Sequence, residues 1–375
     1  MAIDTEAQDQ KVSLIRVYAV SVIVTTVILA VVGVTSGLSA LLLTAILVVL
    51  EVTFSFDNAI VNSKLLAKLS HFWQTLFMTV GIFIAVFVVR FALPIIIVQL
   101  TAGLGFTEVL DLALQHPEQY AHELHKAAPV IDSFGGTFLL MIGIAYFFDS
   151  EKDVHWIGWL ERRLAPLGRF DNITTFLMLG GGLVMYLTVP GDAAVKTSVI
   201  VAAISGIALH MGLDLFGAMV EKDDDEETEG AGNGKLKALV GSAAAIMFLR
   251  LEVLDGTFSF DGVIGAFALT SSIVIIAAGL GAGAMWVRSM TVHLLRAGTL
   301  AKYKFLEHGA MWAILFLGGV MVAKLYHVEL PEWATGSIGL VFIGVAVVTS
   351  IVSQRRDARE AVPETTSTEK AVSVA

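Results

Sequence analysis

Hydrophobic residues occur in long runs along this chain, and short polar segments separate the runs. A helix that crosses the hydrocarbon core of a membrane needs about 20 mostly apolar residues. Ten runs come near that length, so we predict ten membrane-spanning helices. The predicted spans are 14–34, 38–63, 72–100, 133–149, 173–189, 194–218, 237–270, 272–295, 308–326 and 334–353. Because the seventh run is too long for one span and contains acids, we expect a broken helix or a re-entrant segment there.

The amino-acid composition agrees with this pattern. Of the 375 residues, 56% are hydrophobic and 15% are charged, whereas a soluble domain is about 45–50% apolar and about 25% charged. We therefore predict an all-α polytopic membrane protein whose partner is the lipid bilayer. The chain has no cysteine, which excludes thiolate metal sites and cysteine nucleophiles. Its net charge of −10 argues against nucleic acid as a partner.

The positions of the lysines and arginines predict an orientation. With ten spans, 18 of the 24 basic residues fall on the side that holds both termini, and three fall on the other side. Because basic loops stay in the cytoplasm, we expect an inner-membrane protein with both termini cytoplasmic. The same topology makes residues 101–132 a long external loop. Its histidines and glutamates could collect a metal ion, but a solvated loop helix is the favoured interpretation.

An acidic, glycine-containing segment divides the chain into two parts. Residues 221–236 contain a run of aspartates and glutamates, which we interpret as a cytoplasmic linker. The N-terminal half is then 1–220 and the C-terminal half is 237–353. Residues 354–375 are polar, and we expect them to form a disordered cytoplasmic tail.

The two halves share a sequence motif. Residues 50–58 read Leu-Glu-Val-Thr-Phe-Ser-Phe-Asp-Asn. Residues 251–262 read Leu-Glu-Val, then the insertion Leu-Asp-Gly, then Thr-Phe-Ser-Phe-Asp-Gly. The copies lie on the second and seventh predicted spans, which cross the membrane in opposite directions. Inverted repeats of this kind build secondary transporters, whose sites lie near the bilayer midplane.

Charged residues inside these apolar segments point to a function. Each one costs about 2.5–3.5 kcal/mol at a helix centre on insertion scales. The acids are Glu51, Asp57, Glu252, Asp255 and Asp261, and the arginines are Arg90, Arg250 and Arg288. Two negative charges remain after pairing, which would suit one divalent cation. Two alternatives stay open, since the arginines could merely lock helices together, and protonation could remove the excess charge.

The residue types narrow the choice of cation. Oxygen ligands without cysteine favour Mg²⁺, Ca²⁺ or Mn²⁺ over Cu(I) or Zn²⁺. In a regular helix Glu51, Ser55 and Asn58 share one stripe, and the second copy repeats this with Glu252, Asp255 and Ser259.

The two motif aspartates do not fit these stripes. In a regular helix Asp57 and Asp261 point elsewhere. Either they make a different contact, or the helix unwinds within Thr-Phe-Ser-Phe-Asp. Gly256 and Gly262 would permit unwinding in the second copy, whereas the first copy has no glycine there.

At the motif segments the chain resembles the TerC family, named for tellurium resistance, and especially a branch described as a domain of unknown function. The likeness covers roughly residues 38–350. It implies a multi-spanning protein that moves Mn²⁺ or Ca²⁺ out of the cytosol. By resemblance the motif acids are Glu51, Asp57 and Asp261, with Asn58 beside the first aspartate. Glu252 and Asp255 are assigned from the chain's own repeat.

We therefore predict a divalent cation transporter, specifically a Mn²⁺ exporter that works by alternating access around a midplane carboxylate site. It is expected to be no enzyme and to hold no permanent cofactor. One alternative is a non-transporting scaffold or sensor in a tellurite or metal stress-resistance complex. Another is an intramembrane enzyme with paired carboxylates, although its usual motifs are absent. The predicted ligands are Glu51, Asp57, Asn58, Glu252, Asp255 and Asp261, and Arg90 and Arg288 are expected beside the two motif aspartates, where they balance the charge.

Overall fold

The computed structural model describes residues 14–149, 152, 154–170, 172–226, 239, 241–267, 269–297, 303–328 and 330–360. Within these residues the secondary structure is helical, apart from one isolated bridge between Leu69 and Leu239. Seven of the described helical segments are long and apolar enough to cross a membrane. The prediction of an all-α, multi-span membrane protein is confirmed.

Each of the ten predicted spans overlaps one or more helical segments, although only seven segments of the described residues are long and apolar enough to cross a membrane. The first half contains α1 (Leu14–Phe54), α2 (Phe56–Ala67), α3 (His71–Leu76), α4 (Leu93–Ala102), α5 (Phe106–Gln115), α6 (Pro117–Phe148), α7 (Gly158–Leu164), α8 (Ile173–Thr188) and α9 (Ala193–Glu226). Two π-helical segments, Phe77–Gly81 and Ile84–Ala92, lie between α3 and α4, and a 3₁₀ helix, Ala165–Arg169, follows α7. The second half contains α10 (Gly241–Ala266), α11 (Ile273–Arg296), α12 (Leu306–Lys324) and α13 (Glu332–Glu360).

Helix α1 consists of two legs. As one straight helix, Val17–Phe54 would be about 57 Å long at 1.5 Å per residue, roughly twice the thickness of the hydrocarbon core. The chain breaks at Gly37, whose φ of 85° is readily adopted only by glycine. A Cβ atom on Gly33 would lie 3.7 Å from the Cβ of Leu41, so the chain reverses within eight residues. The first two predicted spans are therefore separate legs, 14–36 and 38–54.

Helix α11 packs closely against the second leg of α1. Gly279 lies against Leu47, and Gly283 lies against Glu51. A Cβ atom at either glycine would come within 2.6 Å of a side-chain atom of the leg, so larger residues would push the helices apart. The second contact lies four residues after the first on both helices, so the second leg and α11 run in the same direction.

Helix α10 runs antiparallel to α11. Arg288 of α11 binds Glu252 in the first half of α10. Ile276 and Leu280, near the start of α11, share a hydrophobic cluster with Val263 near the end of α10. The second leg of α1 is parallel to α11 and hence antiparallel to α10. The two motif helices thus cross the bundle in opposite directions, as expected for an inverted repeat.

The segment 101–132 was predicted to be a solvated loop helix; it is helical, but one of its faces is buried. It forms α5 and the beginning of α6. Val109 and Ala113 of α5 are buried with Tyr120 and Leu124 of α6 in one hydrophobic cluster. The segment is amphipathic, so its apolar face packs on the bundle although glutamates and histidines dominate its composition.

Two helices extend beyond their predicted ends. Helix α9 continues into the acidic run as far as Glu226, and residues 227–236 of the predicted linker lie outside the described residues. Helix α13 continues to Glu360, so the first part of the predicted disordered tail is helical. Residues 361–375 also lie outside the described residues.

Candidate functional site

The first motif copy is interrupted at Ser55. Helix α1 ends at Phe54 and α2 begins at Phe56, while Ser55 has φ −99° and ψ 19°. The break changes the direction of the residues that follow, and Asp57 lines the same cavity as Glu51. The alternative in which the motif helix unwinds is therefore correct for the copy that lacks glycine.

The second motif copy lies in an uninterrupted helix. Helix α10 is continuous from Gly241 to Ala266, so the predicted broken or re-entrant seventh span is wrong. Gly262 causes no break in this helix and lies next to Glu51. A Cβ atom there would lie 3.4 Å from Oε2 of Glu51, which brings the glutamate of one half next to the motif of the other.

Arg90 binds Glu51 within the first half. Its Nη2 donates to Oε1 of Glu51 at 2.5 Å, and the hydroxyl of Ser55 donates to the same oxygen at 3.0 Å. Arg90 also donates to the carbonyl oxygen of Ala85 at 2.9 Å. Both charged side chains are buried. The pair is therefore a fixed, desolvated contact between the motif helix and the helix that follows it.

Arg288 makes the corresponding contacts in the second half. Its two terminal nitrogens donate to the two oxygens of Glu252 at 3.1 and 3.0 Å. It also donates to Oδ2 of Asp255 at 3.1 Å and to the carbonyl of Phe77 at 3.0 Å. The side chain is only 1% exposed. Such a two-pronged contact with a carboxylate is the strongest that arginine makes.

The two arginine clusters follow the same plan. In each half the arginine comes from the helix after the motif and pairs with the glutamate of Leu-Glu-Val. Each glutamate also lies against a glycine of the other half, Glu51 against Gly283 and Glu252 against Gly81. A Cβ atom on Gly81 would lie 2.5 Å from Oε1 of Glu252. Reciprocal contacts therefore join the repeats.

Asp57 has different surroundings. It is 8% exposed, yet no ion pair joins it to a lysine or arginine in the described part of the chain. Its Oδ1 accepts the backbone N–H of Asn58 at 3.0 Å at the start of α2, where the helix dipole favours negative charge. Among the described residues Arg90 pairs with the motif glutamate Glu51 and forms no ion pair with Asp57. The expected placement of Arg288 beside Asp261 stays a prediction, because the side chain of Asp261 lies outside the described residues.

A cavity of about 80 Å³ lies beside Asp57. Its polar lining comes from Glu51, Ser55, Asp57, Asn58 and Thr335, and its walls are otherwise apolar. Pockets for organic ligands usually measure about 300–1,000 Å³. This cavity has room for a few water molecules or one ion.

The position of Asp261 remains partly a prediction. The residue lies on α10, but its side chain is outside the described residues. The expected approach of the Asp57 and Asp261 carboxylates to within about 10 Å, as for a shared cation, stays a prediction. Among the described side chains, no group of three His, Cys, Asp or Glu residues could hold a metal ion. That finding includes His122 and His125.

Arg250 belongs to a separate ion pair. Its Nη1 donates to Oδ1 of Asp214 on α9 at 2.7 Å. The prediction that it offsets the motif acids is therefore wrong. Among the described side chains, Arg90 pairs with Glu51, and Arg288 pairs with Glu252 and Asp255.

Asn62 is a site residue that the sequence interpretation overlooked. Its Nδ2 donates to Oδ1 of Asp255 at 3.2 Å and so links α2 to α10. The signal was present, because Asn62 follows Asn58 by four positions and extends the polar stripe of the first motif. Asp132, a buried acid in the apolar run of α6, was also overlooked.

A family model with the description "Protein of unknown function (DUF475)" matches residues 56–357. The match begins at α2 and extends into α13, so it includes Asp57, Arg90 and the second motif copy. Glu51 lies just before it. No curated protein and no solved structure matches the chain.

Proposed function

We propose a function from the geometry of the site, because the chain belongs to the DUF475 family and the description of that family states no activity. The chain is a membrane-spanning helical protein, and in our proposal it transports a divalent metal cation. The observation that carries the proposal is Asp57, a buried acid in an ion-sized cavity without a basic partner among the described residues.

The contrast between Asp57 and the motif glutamates supports a mobile cation as the partner of Asp57. Glu51 and Glu252 are neutralised by arginines that belong to the fold. A buried ionised carboxylate without a partner is costly. A mobile cation would supply the missing charge at Asp57 and would remove it again on release. The carboxylate, amide and hydroxyl oxygens around the cavity suit Mn²⁺, Ca²⁺ or Mg²⁺.

The break in the first motif helix supports transport rather than simple binding. In secondary transporters, discontinuous helices at the interface of inverted repeats provide the substrate site. Here α1 ends and α2 begins beside the cavity, and α10 crosses them in the opposite direction. Rocking of one repeat against the other would expose Asp57 to each side of the membrane in turn.

In this proposal the cargo is Mn²⁺ and the direction is export. The distribution of basic residues supports an inner-membrane protein with both termini in the cytoplasm. The resemblance of the motif to the TerC family supports the cargo and the direction. Asp57 and Asp261 are the ligands from the two halves, aided by Asn58, while Glu51, Glu252 and Asp255 act as further ligands or proton carriers. Neither a permanent cofactor nor a catalytic step is required.

The contacts of Arg288 favour one alternative function. They fix α10 against α11 through both oxygens of Glu252 and one of Asp255. A static lock of this kind fits a scaffold or sensor in a tellurite or metal stress-resistance complex. Such a protein would not need to carry a cation past Asp57.

Metal-dependent stabilisation of the purified protein tests the proposed binding. We expect Mn²⁺ and Ca²⁺ to raise the melting temperature in a concentration-dependent manner, because a ligand that binds only the folded state stabilises it. The effect is about 2.7 kcal/mol at 100 times the Kd. The series should include Mg²⁺, Zn²⁺ and chelator. A melting temperature that no divalent cation changes would contradict the proposal.

A further inference from the structure

We infer that Lys64 and Glu307 form the inner gate of the proposed transport path, and that helix α2 moves when this gate opens. The inner side is the side of both termini, which is the cytoplasm in our proposal. The inference rests on the proposed transport function and deepens it, because it assigns the residues that separate Asp57 from the inner side. The solute that passes the gate is the proposed divalent cation.

The cavity beside Asp57 lies towards the outer side of this aspartate. The second leg of α1 and then α2 run from the outer side to the inner side, and along them the described lining residues extend from Leu47 to Asn58. Helix α10 runs in the opposite direction, so Leu269, which follows its last residue, lies at the outer end. Leu269 also lines the cavity and is 44% exposed. The cavity therefore points outwards.

Packed apolar side chains close the path on the inner side of Asp57. Ile60 and Val61 of α2 are 1% and 3% exposed, and they share a hydrophobic cluster with Ala310 and Ile314 of α12. Apolar constrictions are barriers to ions, which cross them only with their water. Helix α2 therefore has to move away from α12 before a cation at Asp57 reaches the inner side.

The ion pair of Lys64 and Glu307 lies at the inner edge of this apolar layer. Lys64 follows Asp57 by seven positions, so it lies on the same stripe of α2, two turns or about 10 Å further along. Its Nζ binds Oε1 of Glu307 in the first turn of α12. Because Leu317 of the same helix lines the Asp57 cavity, α12 runs from the inner side to the outer side. The pair thus holds the end of α2 against the start of α12.

This ion pair is suited to repeated opening. Both of its side chains are 32% exposed, and ion pairs that water reaches contribute little to stability. The contact between Arg288 and Glu252, in contrast, is buried and fixes α11 to α10. The helix break at Ser55 separates α2 from the second leg of α1, so α2 can pivot there while the leg stays packed against α11. The pivot would also release Asn62 from Asp255.

Thiol labelling tests the gate, because the chain contains no cysteine and an introduced cysteine is the only one. Val61→Cys reports on the apolar layer at the inner side. Thr335→Cys reports on the outer part of the cavity, since Thr335 lines it near the start of α13. Each full-length protein in membrane vesicles would be treated, without metal, with a membrane-impermeant maleimide from the side on which its cysteine reports.

Glu307→Gln removes one charge of the gate at nearly constant volume. We expect Val61→Cys to label up to about fivefold faster with this change, the upper limit for a partly exposed ion pair. Thr335→Cys should label more slowly, because a shift to the inward-open state depopulates the outward-open state. Lys64→Glu places two acids together and should produce larger changes of the same sign.

Two further variants control for general loosening of the bundle. Arg250→Met breaks a partly exposed ion pair between α9 and α10 that does not involve α2, so both labelling rates should stay unchanged. Exchange of the two charges, with Lys64→Glu and Glu307→Lys in one protein, restores the ion pair and should restore slow labelling of Val61→Cys.

The outcomes separate the gate from the proposed function. Unchanged labelling in Glu307→Gln and Lys64→Glu would overturn the gate, and Mn²⁺ flux in the wild-type protein would then leave transport through Asp57 standing. Faster labelling of Val61→Cys without slower labelling of Thr335→Cys, or the same change in Arg250→Met, would also overturn the gate, since the ion pair would then only stabilise the bundle. Opposite changes at the two cysteines in a protein that moves no Mn²⁺ would overturn transport and leave the movement of α2.

Discussion

Asp57→Asn is expected to abolish stabilisation by Mn²⁺ and to make cells more sensitive to excess Mn²⁺, while the protein accumulates normally. The substitution keeps the shape of the side chain and removes its charge. No arginine loses its partner, because the described ion pairs of Arg90 and Arg288 involve other acids. Insertion should not suffer, since asparagine is cheaper than ionised aspartate in a bilayer. Melting curves with and without Mn²⁺, together with growth in excess Mn²⁺, measure both effects.

Asp111→Asn is the control for this substitution. Asp111 is an exposed acid on α5, so the same chemical change there should leave the response to Mn²⁺ intact. If the Asp57→Asn protein were present at low abundance, Asp57 would be needed for folding. Normal abundance together with a normal response to Mn²⁺ would remove Asp57 from the cation site.

Arg288→Met is expected to cause the largest loss of stability. Methionine fills much of the same space but cannot donate to Glu252 or Asp255, which would remain buried without their cation. Removing one partner of a buried ion pair costs about 3–5 kcal/mol in soluble proteins. We expect little protein in the membrane and a markedly lower melting temperature for the fraction that is recovered.

Arg250→Met provides a matched comparison within the same bundle. Arg250 also binds an aspartate at 2.7 Å, but its side chain is 29% exposed. Because the partner acid Asp214 is 46% exposed and is not enclosed in the bundle, losing its arginine should cost less than it does in the buried cluster, so this variant should accumulate better than Arg288→Met. Equal losses of abundance and melting temperature in the two variants would show that the buried ion pairs of Arg288 stabilise the fold no more than the Arg250 pair does.

The course of the helices was largely predictable from the sequence. Runs of about 20 apolar residues locate helices because the bilayer leaves no other way to satisfy the backbone. The repeated motif likewise indicated two helices of opposite direction. For residues 101–132 the predicted helix is present, but full solvation was wrong, because the polar composition concealed an amphipathic pattern in which Val109 and Ala113 are buried.

The position of the helix break and the partners of the buried arginines could not be predicted, because they depend on contacts between segments that are distant in the sequence. The helix breaks at Ser55, in the motif copy without glycine, whereas the helix that contains Gly262 is continuous. Glycine makes a break easier but does not cause one. The ion-pair partners of the arginines could not be predicted from the sequence either. Arg250 and Arg288 both lie in apolar runs of the second half, yet Arg250 binds Asp214 and Arg288 binds Glu252.

Measurement of Mn²⁺ flux tests the central claim most directly. Purified wild-type protein would be reconstituted into lipid vesicles that contain a Mn²⁺-sensitive dye, with protein-free vesicles and the Asp111→Asn protein for comparison. We predict saturable entry of Mn²⁺ in vesicles with wild-type or Asp111→Asn protein, and none above background with Asp57→Asn. Entry no faster than in protein-free vesicles, from wild-type protein that is folded and stabilised by Mn²⁺, would contradict transport and leave a metal-binding scaffold or sensor.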